Sequence, residues 1–247
     1  MKEGLEGVYH MSKTKVEEKI AARSKPHTIY RTADGQKVPG VTTILGILNK
    51  PALVKWANNL GLQGIDSSTY VDETAKVGTL AHQMIQEYLG GPEWDRSAYD
   101  AGQVDLAENA VISFHEWERQ TGHRMETENI ELPLVSELNR YGGTIDWYGI
   151  IDGQYWLVDI KTSKSLWPEH VFQVAAYRQL LSENGYPVDG VRLLRVGRTE
   201  DEGFDDHVLG APQIHAAYHV FHCALSLYRA KAAYENFMRG LENEDRK

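Results

Sequence analysis

The sequence predicts an α/β (α+β) fold with a central mixed β-sheet flanked by helices. Three observations carry this reading. Segments with helical apolar spacing fill much of the stretch from residue 51 to 120. A block rich in β-branched and aromatic residues follows over 127–161, broken by Asp152-Gly153, a strong two-residue hairpin signal. Beyond it the texture alternates helix, strand and helix, as expected when a chain crosses over a sheet and covers it.

In chain order, HTIYRTADGQKVPGVTTIL reads as two short strands around a turn at Asp34-Gly35, with Pro39-Gly40 ahead of the β-branched run Val41–Ile44. Pro51 suits the first turn of a helix, and PALVKWANNLG is closed by Gly61. Apolar residues recur at helical spacing from about Thr74 to Leu89, where Gly90-Gly91-Pro92 stops them. A longer helix is predicted over 101–120, ending near Gly122. Three strands then occupy 127–136, 141–151 and 154–161. A helix over 169–184, a strand over 190–197, a short strand at 205–209 and a helix over 212–238 complete the order. Residues 1–26 are polar and unpatterned and are set aside as a leader, with Met11 as an alternative start.

The 247 residues are 42% hydrophobic and 25% charged, the balance of an ordinary globular chain able to bury a substantial core. No apolar run is long enough to cross a bilayer, so a cytoplasmic location is expected and no membrane partner. The single cysteine, Cys223, excludes an intramolecular disulfide and a cysteine-built metal site. Its setting, VFHCALSLY, suggests buried packing. The net charge of −9 argues against tight, salt-insensitive DNA binding, yet it is unevenly spread. Residues 1–60 hold ten Lys/Arg against five Asp/Glu, and residues 61–135 hold four against fourteen. Phosphate recognition needs local positive potential, and a divalent-cation site needs clustered acids, so overall acidity excludes neither.

The chemistry concentrates on two predicted strands. Asp146 lies six residues before Asp152 and Asp159 six after Gly153, so a hairpin about that turn sets the two acids opposite each other. Facing carboxylates repel unless a cation lies between them, and Mg²⁺ is typically held by one or two carboxylates together with water and substrate phosphate. Lys161 follows Asp159 by two residues and therefore shares its face of the sheet, while Trp156, Val158 and Ile160 point the other way, into a core. A lysine there can orient or deprotonate an attacking water and offset charge on a phosphate. These three residues alone also fit a salt-bridge pattern on an exposed sheet face. Gln173 and Tyr177 lie one turn apart on the next helix. His82 follows Gly78-Thr79 on a helix where no apolar stripe calls for it, and imidazole is a common metal ligand.

The strings YGGTIDWYGIIDGQYWLVDIKTSK, HVFQVAAYRQL and GTLAHQMIQEYL together resemble the PD-(D/E)XK nuclease superfamily, in particular its RecB-like exonuclease branch. That branch combines a helix-borne histidine in a Gly-Thr-x-x-His context, Gly-x-x-Asp, Asp-x-Lys-Thr and a Gln-x-x-x-Tyr helix, and all four occur here in order. VPGVTTILGILNKPALVKWANNLG also resembles the N-terminal segment of phage-type members and of a mitochondrial single-strand exonuclease of the branch. The resemblance covers roughly residues 27–198. It implies a restriction-endonuclease-like core within one domain over 27–247: a helical segment 27–122, a catalytic core 123–210 and a C-terminal helix 211–239. It further implies that His82, Asp146 and Asp159, with the Ile160 carbonyl, bind Mg²⁺ or Mn²⁺, and that Lys161 positions or activates the water. Gln173 and Tyr177 would support the site and contact DNA, and Thr162, Ser163 and Lys164 would lie near phosphate. Glu131, on the preceding strand, stands where some members carry a further acid, although an ordinary structural carboxylate fits as well. The iron–sulfur cluster of some relatives needs four cysteines and is excluded.

The expected activity is a metal-dependent deoxyribonuclease, an exonuclease acting in DNA recombination, repair or phage DNA processing. A structure-specific endonuclease with the same centre is an alternative, and so is a catalytically silent DNA-binding module. Expected partners are single-stranded DNA or duplex ends, a phage or bacterial recombination protein, and further copies of the chain. Lys50 and Lys55 are candidate phosphate contacts or members of a solvated helix face. Trp156 is read as core, whereas Trp56 and Trp167 are open between packing and base stacking.

Overall fold

The computed structural model describes residues 28–48 and 50–244; the expected leader lies outside the described residues. Its centre is a five-stranded sheet in the sequential order β3-β4-β5-β6-β7, comprising β3 (Glu126–Ser136), β4 (Tyr141–Ile151), β5 (Gln154–Lys161), β6 (Gly190–Val196) and β7 (Phe204–Val208). β3, β4 and β5 form an antiparallel meander, β5 and β6 are parallel, and β7 returns antiparallel. The sheet is therefore mixed, and the parallel step is made by helix α5 (Pro168–Glu183) as a crossover. A separate two-stranded ribbon, β1 (Tyr30–Arg31) with β2 (Lys37–Val38), turns at Asp34-Gly35.

Helices cover both faces. On one side α1 (Val41–Leu45), α5 and α6 (Ala211–Glu244) pack with the sheet around Ile44, Leu157, Leu180, Leu193 and Phe221. On the other, α3 (Ser67–Tyr88) and α4 (Ala101–Thr121) pack around Leu80, Ile85, Phe114, Trp117, Trp147 and Val158. A Leu, Ile or Phe taken fully from water contributes about 1.5–3 kcal/mol, so each layer is fixed by several such residues. The alternation along β5 divides its side chains between the layers, Leu157 to the first and Trp156, Val158 and Ile160 to the second.

Helix starts follow from local chemistry. Asp66 caps α3 by accepting from the Thr69 N–H at 2.8 Å, about two turns ahead of the start that apolar spacing suggests. Asp100 and Gln103 form a reciprocal capping box on α4, and Gly122 closes it at φ +72°. The Val41–Ile44 run, β-branched enough to suggest a strand, is helical because Val41, Ile44 and Leu45 all bury against the sheet and α5. Helix α2 (Pro51–Leu62) buries none of its residues. Among the described residues no helix is long and apolar enough to cross a membrane.

Cys223 contradicts its expected burial. The inward stripe of α6 is Ile214, Ala217, Phe221, Ala224 and Leu225, and Cys223 falls off it into solvent. Apolar neighbours in sequence do not bury a residue that lies on the wrong side of a 3.6-residue period.

Candidate active site

The register Ile151↔Gln154 through Trp147↔Val158, continued by one residue, sets Asp146 opposite Asp159. Pairing between β4 and β5 stops there. The Ile160 N–H instead donates to Asp146 Oδ2 at 3.1 Å, and Lys161 Nζ lies 2.6 Å from Asp159 Oδ2. Asp159 is fully buried at 0% exposure; the Lys161 ammonium stands against its Oδ2, and its Oδ1 is buried with no hydrogen-bond partner. Burial raises the Asp159 pKa, and the neighbouring Asp146 carboxylate raises it further against the pull of Lys161. Burial opposes the charge on Lys161, but the two carboxylates prevail and lift its pKa. Two acids share one ammonium in a low-dielectric setting.

Helix α5 supplies the next layer. Lys161 Nζ donates to Gln173 Oε1 at 3.2 Å, and Gln173 Nε2 donates to Tyr177 Oη at 2.9 Å. Burial, reinforced by Asp159 and Asp146, holds the Tyr177 pKa far above that of a free phenol, so its hydroxyl stays protonated. Gly143 makes room for this ring: a Cβ there would come within 2.6 Å of Tyr177 Cε1. From the opposite layer, α3 brings His82 Nδ1 to 3.7 Å from Asp146 Oδ2. Gly78, one turn earlier, permits that approach, because a Cβ at its position would stand 2.9 Å from Thr162 Oγ1.

A cleft of about 320 Å³ opens above these groups, lined by Gly78, Thr79, His82, Ile160, Lys161, Thr162, Ser163 and His170. Thr162 and Ser163 thus lie at its wall, whereas Lys164 is exposed beyond it. Burial, with help from Lys161 and Lys50, lowers the His170 pKa to about 4. His170 Nδ1 accepts from the Trp167 N–H at 3.2 Å, which ties the cleft wall to the start of α5. His170 carries no sequence motif; only its place three residues after Trp167, at a helix start, marks it.

The remaining expected residues lie farther out. Lys50 pairs with Glu169 at 3.6 Å, and Lys55 is exposed on α2. Glu131 adopts φ +51° within β3, a conformation costly for a residue with a Cβ, and it accepts a hydrogen bond from buried Gln86. Trp147 is core, Trp156 lies under Arg192 with the guanidinium carbon 4.9 Å from its ring centroid, and Trp56 packs edge-on against Tyr70. Trp167 is 55% exposed and borders an apolar cleft of about 520 Å³ between α5, β6 and α6.

Among the described residues no three His, Cys, Asp or Glu side chains converge as a ready metal cage. The donor chemistry nevertheless fits a hard divalent cation. Two carboxylates face each other, an imidazole and the Ile160 backbone stand beside them, and Asp159 Oδ1 is buried without a hydrogen-bond donor.

Comparison with known proteins gives no matching family model and no matching curated protein. Among solved structures, the chain is similar to a "Putative exonuclease" from Eubacterium rectale, at 12% identity and a TM-score of 0.43, over 60% of this chain and 64% of that one. The chain thus spans under two thirds of that protein's length. It is also similar to LHK-Exo in complex with dAMP, at 14% identity and a TM-score of 0.36, covering 65% of this chain and 83% of that one. The alkaline exonuclease LHK-Exo from Laribacter hongkongensis matches again at 13% identity and a TM-score of 0.31, over 63% and 84% of the two chains.

Proposed function

We propose that this chain is a metal-dependent deoxyribonuclease of the PD-(D/E)XK, RecB-like kind, acting as an exonuclease on DNA ends. One observation carries the reading: fully buried Asp159 sits against Lys161, opposite Asp146, so that two carboxyl groups share one ammonium. An ion pair with Lys161 needs only one carboxylate; Asp146, besides accepting the Ile160 N–H, adds a second on the same rung, where two like charges repel unless a cation joins them.

Asp146, Asp159, His82 and the Ile160 carbonyl would hold Mg²⁺ or Mn²⁺. The bound ion would polarise the scissile phosphate and offset charge on the departing oxygen. Lys161 Nζ, fixed by Asp159 and Gln173, would orient the attacking water by donating to it. Gln173 spends its amide on Tyr177, which leaves the Tyr177 hydroxyl proton free to donate to a phosphate oxygen. Thr162 and Ser163 would add donors at the cleft wall, with Lys164, Lys50 and Lys55 as outlying cations along the strand. Exposed Trp167 offers an indole face for an unstacked base.

The test is digestion of end-labelled linear and circular DNA with Mg²⁺ or Mn²⁺, comparing wild type with Asp159→Ala and Lys161→Ala. Shortening of the linear substrate by wild type alone is the expected result. Untouched substrates would end the nuclease reading, and cut circles would replace exonuclease with endonuclease.

A further inference from the structure

The outer face of α6 carries an arrangement that the nuclease chemistry does not use. His215, His219 and His222 follow one another at i, i+4 and i+7, which places them on one side of a helix. All three are exposed, while the helix buries Ile214, Ala217, Phe221 and Leu225 on its other side. The core therefore does not call for these imidazoles. His215 and His219 are not merely adjacent. Their Nε2 atoms lie 3.0 Å apart, with the rings at 89° to each other and their centroids 4.5 Å apart.

That separation is informative. Two imidazole nitrogens each about 2.0–2.1 Å from one metal ion, at angles between square and tetrahedral, stand about 2.8–3.4 Å apart. The same gap allows one imidazole to donate an N–H to the other, but on an open face that bond competes with water and adds only about 0.5–1.5 kcal/mol. A metal ion uses both lone pairs at once and needs no rearrangement of the helix, whose backbone already holds the two residues one turn apart.

We propose that His215 and His219 form a bidentate seat for a borderline divalent transition ion such as Zn²⁺, Ni²⁺ or Cu²⁺. Imidazole nitrogen favours these ions over Mg²⁺ and Ca²⁺, which take oxygen donors. The seat is built of imidazoles alone, whereas the centre on β4 and β5 is built mainly of carboxylates. Among the described residues no third ligand converges on it, so its other coordination positions face water or a donor from another molecule.

The experiment is calorimetric titration of the untagged full chain with Zn²⁺ in excess Mg²⁺, which occupies oxygen-donor sites. Wild type, Asp159→Asn and Cys223→Ser are each expected to bind one Zn²⁺ per chain, and His215→Ala and His219→Ala to lose that event with unchanged far-ultraviolet circular dichroism. With Co²⁺ as a probe, the same two variants are expected to lose its visible absorption band. Absence of Zn²⁺ binding by wild type would overturn the proposal. So would binding that survives His219→Ala, or binding lost in Asp159→Asn, which would assign the ion to the carboxylate centre.

Discussion

The Ile160 N–H donates to Asp146 Oδ2 across 3.1 Å, just beyond Trp147↔Val158, the last paired rung of β4 and β5. A side-chain carboxylate therefore anchors the backbone of β5 at the point where the ladder opens. Asp146 has two tasks there, charge for a cation and acceptance of a backbone donor, and they can be separated. Asp146→Asn keeps an acceptor oxygen but removes the charge. Its melting temperature is expected to stay within a few degrees of wild type, while DNA hydrolysis falls about 10²–10³-fold. Asp146→Ala is expected to lose both. Parallel melts and end-labelled digestions read the difference; equal losses of stability in the two variants would deny the anchoring role.

Lys161 and Asp159 are coupled more tightly than any other pair in the pocket, at 2.6 Å with Asp159 wholly buried. Removing one partner strands the other. Lys161→Met is expected to destabilise the metal-free protein by about 3 kcal/mol, because two carboxylates then face each other without a cation. Asp159→Asn combined with Lys161→Met removes both charges and is expected to regain most of that loss. Chemical denaturation of the four proteins gives the coupling energy. Strict additivity of the two single effects would mean that the contact contributes nothing to the fold.

Gln173 links Lys161 to Tyr177 through both ends of one amide. Gln173→Leu keeps the volume and removes both bonds. The expected result is a roughly tenfold fall in kcat with little change in KM, as for the loss of about 1.4 kcal/mol of positioning. Tyr177→Phe leaves the Lys161 contact intact and is expected to fall less. A change confined to KM would instead place Gln173 in substrate binding alone.

Much of this arrangement is legible in the sequence because it rests on the two periods of regular structure. The Asp152-Gly153 turn sets the register, so Asp146 and Asp159 can be placed opposite each other by counting, and a period of two puts Lys161 beside Asp159. Four-residue spacing likewise joins Gln173 to Tyr177. What escapes is decided by packing between elements. Nothing local to Val41–Ile44 says that a β-branched run will be helical; its burial against α5 decides that. The φ of +51° at Glu131 arises within a strand, where no turn residue signals it. Cys223 has apolar neighbours in sequence, yet which face of α6 meets the sheet depends on the whole inward stripe. The role of Gly78 is visible only once α3 and the end of β5 are seen to touch.

His170 gives the fold a pH dependence whose sign follows from its surroundings. Its pKa is depressed to about 4, mainly by burial and secondarily by Lys161 and Lys50. The unfolded chain therefore takes up a proton near pH 6.5, the usual histidine value, before the folded chain does. Stability is full above that pH and is lost as the pH falls from about 6.5 towards 4. Protonation would also end the acceptance of the Trp167 N–H by Nδ1 at the start of α5. The contribution is about 1–2 kcal/mol once the partial exposure of the ring is allowed for. His170→Asn keeps a side-chain oxygen able to accept from Trp167 and does not titrate in this range. Urea denaturation at intervals between pH 4 and 8 is expected to show wild type losing stability below about 6.5 more steeply than His170→Asn. Parallel curves for the two proteins across that window would refute the assignment of the effect to His170.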